Sequence, residues 1–211
     1  MGKQLVTYKK RLSLDPRQRS ILIGSILGDA NLRMMKSHAT MTIEHADSQR
    51  EYVFWKYKIF QNWIFTPPQK KSRIYYKDPS RKIISWRVQT LSHPILTRLY
   101  NLFYPNGRKI VPNNIADLLN PLTLSVWFMD DGSRKTYGRG AFLHTQNFSL
   151  KGQKRLIEAL KERFGLEARI SSHGYWKSRQ LFRLYITAAS FPRLKKIISP
   201  HILSQFVYKI A

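Results

Sequence analysis

The sequence predicts an α+β protein made of two similar halves, each running αββαββα, and three observations carry that prediction. Leu22-Ile23-Gly24-Ser25-Ile26-Leu27-Gly28-Asp29-Ala30 and Leu124-Ser125-Val126-Trp127-Phe128-Met129-Asp130-Asp131-Gly132 are both apolar helical runs that end on an acid beside a small residue. Behind each comes a short strand-like stretch and then a longer helical one. A hairpin-like pair of strands and a closing helix complete each half.

Taken in order, residues Met1 to Leu14 are basic, hold no acid and lack a secretory apolar run, which reads as a short arm touching phosphates. Asp15-Pro16 supplies an N-cap and a first-position proline for the first apolar helix. In Ala39 to Ala46, Ala39, Met41 and Ile43 alternate with Thr40, Thr42 and Glu44, the period of a half-buried strand. A helix is expected from Ser48 to Phe65 with Val53, Phe60, Trp63 and Ile64 inward, stopped by Pro67-Pro68. Arg73 to Lys77 and Ile83 to Thr90 form a hairpin across Asp78-Pro79-Ser80, closed by a helix over His93 to Tyr104.

The second half replays this at shorter length. A strand at Ala141 to Thr145 precedes a helix from Leu150 to Phe164, where Leu156, Ile157, Leu160 and Phe164 make the buried stripe and Gly165 suits a left-handed cap. Strands at Glu167 to Ser172 and Leu181 to Thr187 lead to a last helix, Phe191 to Ile198. The expected division is an arm at 1–14 and halves at 15–115 and 116–211, joined by a loop over Asn113 to Asn120, with the apolar helices as their shared interface.

Lys and Arg number 37 against 12 Asp and Glu, a formal charge of +25, so the partner is expected to be a polyanion. No stretch reaches the apolar length of a membrane span, and the basic residues are spread along the chain, which argues against a membrane partner. With 43% apolar residues the chain is folded rather than a basic tail. There is no cysteine, hence no disulfide framework and no thiolate zinc site. The six histidines show no paired ligand spacing, and His45 and His144 read as surface or DNA-facing residues.

A carboxylate where a helix runs out faces the negative end of its dipole, which is unfavourable without a cation nearby. Asp29 and Asp131 occupy such positions, and two copies in one chain point to metal. Both segments resemble the signature helix of LAGLIDADG homing endonucleases in their single-chain, two-motif form. Ile26-Leu27-Gly28-Asp29-Ala30, Thr66-Pro67-Pro68, Asn101-Leu102-Phe103, Ile110-Val111-Pro112-Asn113-Asn114, Trp127-Phe128-Met129-Asp130-Asp131-Gly132, Thr145-Gln146 and Tyr208-Lys209 run in the order found in that family, across about residues 15 to 210.

The resemblance implies an intron-encoded nuclease that acts as a monomer. It would hydrolyse both strands of double-stranded DNA at a long asymmetric site in Mg²⁺ and so promote intron homing. Asp29 and Asp131 would hold two or three divalent ions, with the carbonyls of Ala30 and Gly132 as further hard oxygen ligands. Mn²⁺ would substitute, and Ca²⁺ would support binding without cleavage. A lysine in each half would assist, at Lys109 and Lys209; from Asp29 to Lys109 is 80 residues and from Asp131 to Lys209 is 78. Asp47 and Gln146 match the water-organising position, and Asp130 takes a supporting structural role. The first helix has Gly24 and Gly28 where the second has Val126 and Asp130, so asymmetric packing is expected. A group I intron maturase that binds RNA and a DNA-binding protein with dead active sites stay open as alternatives. The expected location is intracellular, in an organelle or a bacterial cytoplasm.

The strands indicate how DNA would be read. Ser85, Arg87 and Gln89 share one face of their strand, and Arg183, Tyr185 and Thr187 one face of theirs, opposite Ile84, Trp86, Val88 and Phe182, Leu184, Ile186. Such polar faces offer donors and acceptors to base edges in a major groove wide enough for a β-ribbon. Lys70, Lys71, Arg73, Lys77, Arg81 and Lys82 crowd the first hairpin, with Tyr75 among them, and are expected on phosphates.

Overall fold

The computed structural model describes residues 2–76, 78–136 and 139–211. Its contacts divide into two compact units, Met1–Gln18 with Asp29–Asn101, and Arg19–Gly28 with Leu102–Ala211.

The first unit holds α1 (Gly2–Arg11), the start of α2 (Pro16–Leu27), β1 (Asn31–Met34), β2 (Ala39–Ala46), α3 (Arg50–Ile59), β3 (Gln69–Tyr75), β4 (Asp78–Gln89) and most of α4 (Pro94–Phe103). The second holds the rest of α2, then α5 (Ile115–Leu118), α6 (Pro121–Asp131), β5 (Gly132–Arg134), β6 (Ala141–Leu143), α7 (Leu150–Phe164), β7 (Ala168–Trp176), β8 (Arg179–Ile186) and α8 (Phe191–Ile198). Each unit contains one antiparallel four-stranded sheet, in the orders β1-β2-β4-β3 and β5-β6-β8-β7, so the repeat read from sequence is a repeat of topology. Among the described residues no helix is long and apolar enough to cross a membrane.

Local chemistry explains the boundaries. Gln18 N–H donates to Asp15 Oδ1 at 2.7 Å and Asp15 N–H to Gln18 Oε1 at 3.3 Å, a reciprocal cap with Pro16 between them. The helix expected over Ser48 to Phe65 is α3 with single 3₁₀ turns at Asp47–Gln49 and Gln61–Trp63 on its flanks. Its end is taken by side chains: Gln18 Nε2 donates to Ile59 O, and Tyr8 Oη to Asn62 O. Phe60, Trp63 and Ile64 are buried as expected. α7 has the expected bounds and ends at Gly165 with φ +62°.

Four differences stand out. The segment expected as an arm is helix α1, held by the Tyr8 bond, by Lys9 Nζ to Ser92 Oγ and by the buried Leu12. The short β1 and β5 complete the strand pairs of the αββαββα pattern but were given no bounds from sequence, because three or four residues carry no visible period, and the single-turn α5 falls in the loop expected over Asn113 to Asn120. β4 and β7 extend beyond the predicted strands at the hairpin tips, which are polar or exposed on both faces and lose the alternation; Asp78-Pro79-Ser80, expected as the turn, instead opens β4, and β3 begins at Gln69 rather than Arg73. Finally, β8 ends at Ile186, leaving Thr187 outside it.

Candidate active site and nucleic-acid interface

The two acid-bearing helices meet within the second unit. A methyl group on Gly24 would lie 2.6 Å from Thr123 O and 2.8 Å from Val126 Cβ; one on Gly28 would lie 2.4 Å from Asp130 Cβ and 2.6 Å from its Oδ2. The glycines of α2 thus accommodate the larger side chains of α6, and the asymmetry visible in sequence is complementary packing. Asp130 seats its side chain against Gly28. Asn120 caps α6 by accepting from Thr123 N–H at 2.9 Å, and its amide donates to Ser20 Oγ at 2.8 Å.

The helix ends are bound by the two lysines. Gly28 N–H still donates to Gly24 O, so Asp29 follows the last turn of α2, while Asp131 is the last residue of α6. Lys109 Nζ donates to Gly28 O at 2.8 Å. Lys209 Nζ donates to Met129 O at 2.6 Å and to Asp130 O at 3.5 Å. Each ammonium therefore sits on a terminal carbonyl just ahead of its acid, offsetting the dipole that the acid opposes. Lys209 is buried and Lys109 partly so.

Asp29 belongs to the first unit, its side chain 45% exposed, with Oδ2 3.4 Å from His45 Nδ1. His45 corrects the sequence reading: it is buried, because it shares the helix-covered face of β2 with Met41 and Ile43. Strand alternation carried that signal. Behind it lies Lys56, fully buried, with Nζ 3.3 Å from His45 Nε2 and 4.1 Å from the Tyr52 ring centroid. Asp47 is exposed and its Oδ1 accepts from Trp86 Nε1 at 2.6 Å.

Asp131 is partly exposed in the second unit, and its carbonyl accepts from His144 N–H. Gln146 Nε2 lies 3.3 Å from His144 Nδ1, and Ser133 Oγ 3.0 Å from His144 Nε2. Burial pushes His144 down to about 4, helped by Arg183, His173 and Lys209. Ala30 and Gly132 are both buried, and Gly132 opens β5 opposite Leu143.

Strand register shows which positions correspond. Thr42 pairs with Asn31 and Phe142 with Ser133, and continuing that count past the end of β6 at Leu143 sets Glu44 against His144, His45 against Thr145, and Ala46 against Gln146. Glu44 and His144 face the polar side of their sheets; Glu44 was not singled out from sequence, since neither motif nor composition marks it.

The polar face of the first sheet carries Thr42, Glu44, Gln69, Lys71, Arg73, Ser85, Arg87 and Gln89 by register. Ser85 Oγ donates to Glu44 Oε1 at 2.6 Å and Arg87 Nη2 to Gln89 Oε1 at 3.3 Å. A cleft of about 460 Å³ opens there, lined by Gln69, Lys71, Arg87 and Gln89. Lys70 and Lys82 take the opposite parity, with Trp86 and Val88. Arg81 lies 5.4 Å from the Tyr75 ring near the tip, and Lys77 lies outside the described residues.

In the second unit Arg183 stacks 3.5 Å from the Phe142 ring centroid, and Tyr185, beside Arg169, donates its hydroxyl to Arg139 O at 2.8 Å. Thr187 serves the turn into α8, its Oγ1 accepting from Ser190 N–H, which removes it from the strand face.

Comparison with known proteins agrees with this geometry. Residues 19–194 match the LAGLIDADG DNA endonuclease family. A probable intron-encoded endonuclease of Wickerhamomyces canadensis is 27% identical over 99% of this chain and 90% of its own length. A cytochrome b mRNA maturase, bI2, of Debaryomyces hansenii is 29% identical over 93% of this chain and 74% of its own. The solved structure of the homing endonuclease I-WcaI bound to its DNA recognition sequence superposes with a TM-score of 0.89 at 27% identity, covering 99% of this chain and 92% of that one. Two acid-ended helices, a doubled sheet topology and this match together place the chain in the LAGLIDADG DNA endonuclease family.

Proposed function

We propose that the protein is a site-specific homing endonuclease that hydrolyses both strands of a long asymmetric DNA site as a monomer. The observation that carries the proposal is the doubled arrangement of an acid at a helix end whose terminal carbonyls are bound by a lysine: Asp29 just after α2 with Lys109 on Gly28 O, and Asp131 closing α6 with Lys209 on Met129 O and Asp130 O. A single chain with two such ends suits two strands.

Asp29 and Asp131 are carboxylates with solvent access at unfavourable dipole positions, a donor set that fits a hard divalent cation such as Mg²⁺ or Mn²⁺. When bound, the metal supplies an activated water and charge neutralisation at the leaving oxygen. The chain's own part is to hold the two acids, with the carbonyls of Ala30 and Gly132 offered beside them, and to hold both ammonium groups close to the developing charge. The polar sheet faces carry Lys71, Arg73, Ser85, Arg87, Gln89, Arg183 and Tyr185 toward base edges and phosphates. Lys70, Tyr75, Arg81 and Lys82 flank the first face.

The test is cleavage of a duplex site recovered from a randomised library by the protein itself. Cutting in Mg²⁺, with binding and no cutting in Ca²⁺, is the expected result; equal cutting in both ions contradicts the metal assignment. A second reading, RNA binding in splicing, is favoured by the maturase relative. Tight binding to an intron RNA together with failure to cut any library duplex would select it.

A further inference from the structure

We propose that His45 is a positioning residue for Asp29, holding one carboxylate oxygen through its Nδ1–H, and that this makes the two halves of the proposed cleavage reaction inequivalent. The inference rests on the endonuclease reading for its kinetic consequence, and on geometry alone for the contact.

The contact follows from donor inventory. Lys56 is fully buried, and the Tyr52 ring face 4.1 Å from its Nζ favours a cation there. An ammonium has protons to give and no lone pair, so at 3.3 Å His45 Nε2 accepts. The proton of the neutral ring then resides on Nδ1, the nitrogen 3.4 Å from Asp29 Oδ2. The His45 side chain is only 1% exposed, and the Tyr52 ring packs 4.9 Å from its centroid, so the imidazole has little freedom to turn away. Oδ2 is thereby oriented by a buried ring, while the carboxylate keeps solvent access for a cation.

The corresponding position of the other unit carries a different side chain. The register counterpart of His45 is Thr145, fully buried, its hydroxyl without a hydrogen-bond partner among the described residues. A threonine side chain is too short to reach as an imidazole does. His144, one residue earlier, faces the opposite side of its sheet toward Ser133 and Arg183. Orienting groups behind a metal-binding carboxylate typically change affinity or activity by about 10- to 100-fold when removed.

Two readouts test this. Imidazole ¹⁵N NMR of the whole protein should show His45 protonated on Nδ1 and bare on Nε2, with the Nδ1 resonance moving in Asp29→Asn. A proton on Nε2, or no response to Asp29→Asn, overturns the contact whatever the activity. On a strand-labelled duplex recovered from a randomised library, His45→Thr should slow the strand that Asp29→Asn slows most by about 10- to 100-fold, leaving the other strand within a few-fold. His45→Asn, whose amide nitrogen sits near the place of Nδ1, should recover most of that rate while His45→Thr does not. Equal slowing of both strands, or no rescue by His45→Asn, overturns the positioning role. If the wild-type protein cuts no library duplex, the endonuclease reading fails while the NMR result still decides the contact.

Discussion

Gly28→Ala places one methyl group where the two acid-bearing helices meet, 2.4 Å from Asp130 Cβ and 2.6 Å from Asp130 Oδ2. Both distances are inside van der Waals contact, and the obstructing atoms belong to a side chain at the last turn of α6, beside Asp131. Turning the carboxylate away relieves only Oδ2, and relief of the Cβ contact requires the helix backbones to shift apart. Overpacking of this kind destabilises by about 1–3 kcal/mol. For a chain of this size each kcal/mol lowers Tm by roughly 2–4 °C, so the drop should fall between about 2 and 12 °C. Thermal unfolding by circular dichroism measures it. The cause is checked by Gly28→Ala combined with Asp130→Gly, which removes both the Cβ at 2.4 Å and the carboxylate beyond it. The double variant should be more stable than the sum of the single effects predicts by about 0.5–3 kcal/mol, as expected of residues in contact. An unchanged Tm for Gly28→Ala, or strict additivity in the double variant, would refute the close packing.

Three further outcomes are expected. Lys209→Met keeps the buried stem but removes charge-assisted bonds to Met129 O and Asp130 O, so it should lower stability by about 1.5–3 kcal/mol in denaturant titration, more than Lys109→Met at its partly exposed site. His144, lowered to about 4, contributes stability that is complete above its unfolded value of 6.5 and is lost as pH falls toward 4; His144→Asn should flatten the unfolding free energy across that window. Affinity for duplex DNA should fall steeply with salt, log K against log salt having a slope of several units, and a flat response would remove the polyanion argument for a +25 chain.

Sequence showed most where a residue's chemistry acts locally. Asp15, Pro16 and Gln18 make the cap that their spacing encodes, and Gly165 adopts the left-handed conformation that its place after Phe164 implies. Gly24 and Gly28 against Val126 and Asp130 read as asymmetry and prove to be complementary surfaces. The near-equal spacing of Lys109 and Lys209 from their acids reflects two ammonium groups on equivalent helix ends.

What stayed hidden depends on contacts across the chain. The buried Lys56 that pins His45 sits on a helix whose pattern gives no reason to bury a cation. Glu44 and His144 become counterparts only once strand register is known, because the connections that precede β2 and β6 differ in length. The tips of the hairpins are polar or exposed on both faces, so their extent is set by cross-strand pairing rather than by any period in the sequence.

The central claim, that Asp29 and Asp131 each serve cleavage of DNA, is tested most directly by Asp29→Asn and Asp131→Asn on a strand-labelled duplex at saturating protein. Each variant should bind the site as the wild type does and lose double-strand cleavage by several orders of magnitude, with at least one leaving a slow nick biased to one strand. Near wild-type double-strand breakage by both variants, each folded and bound to DNA, would contradict the claim.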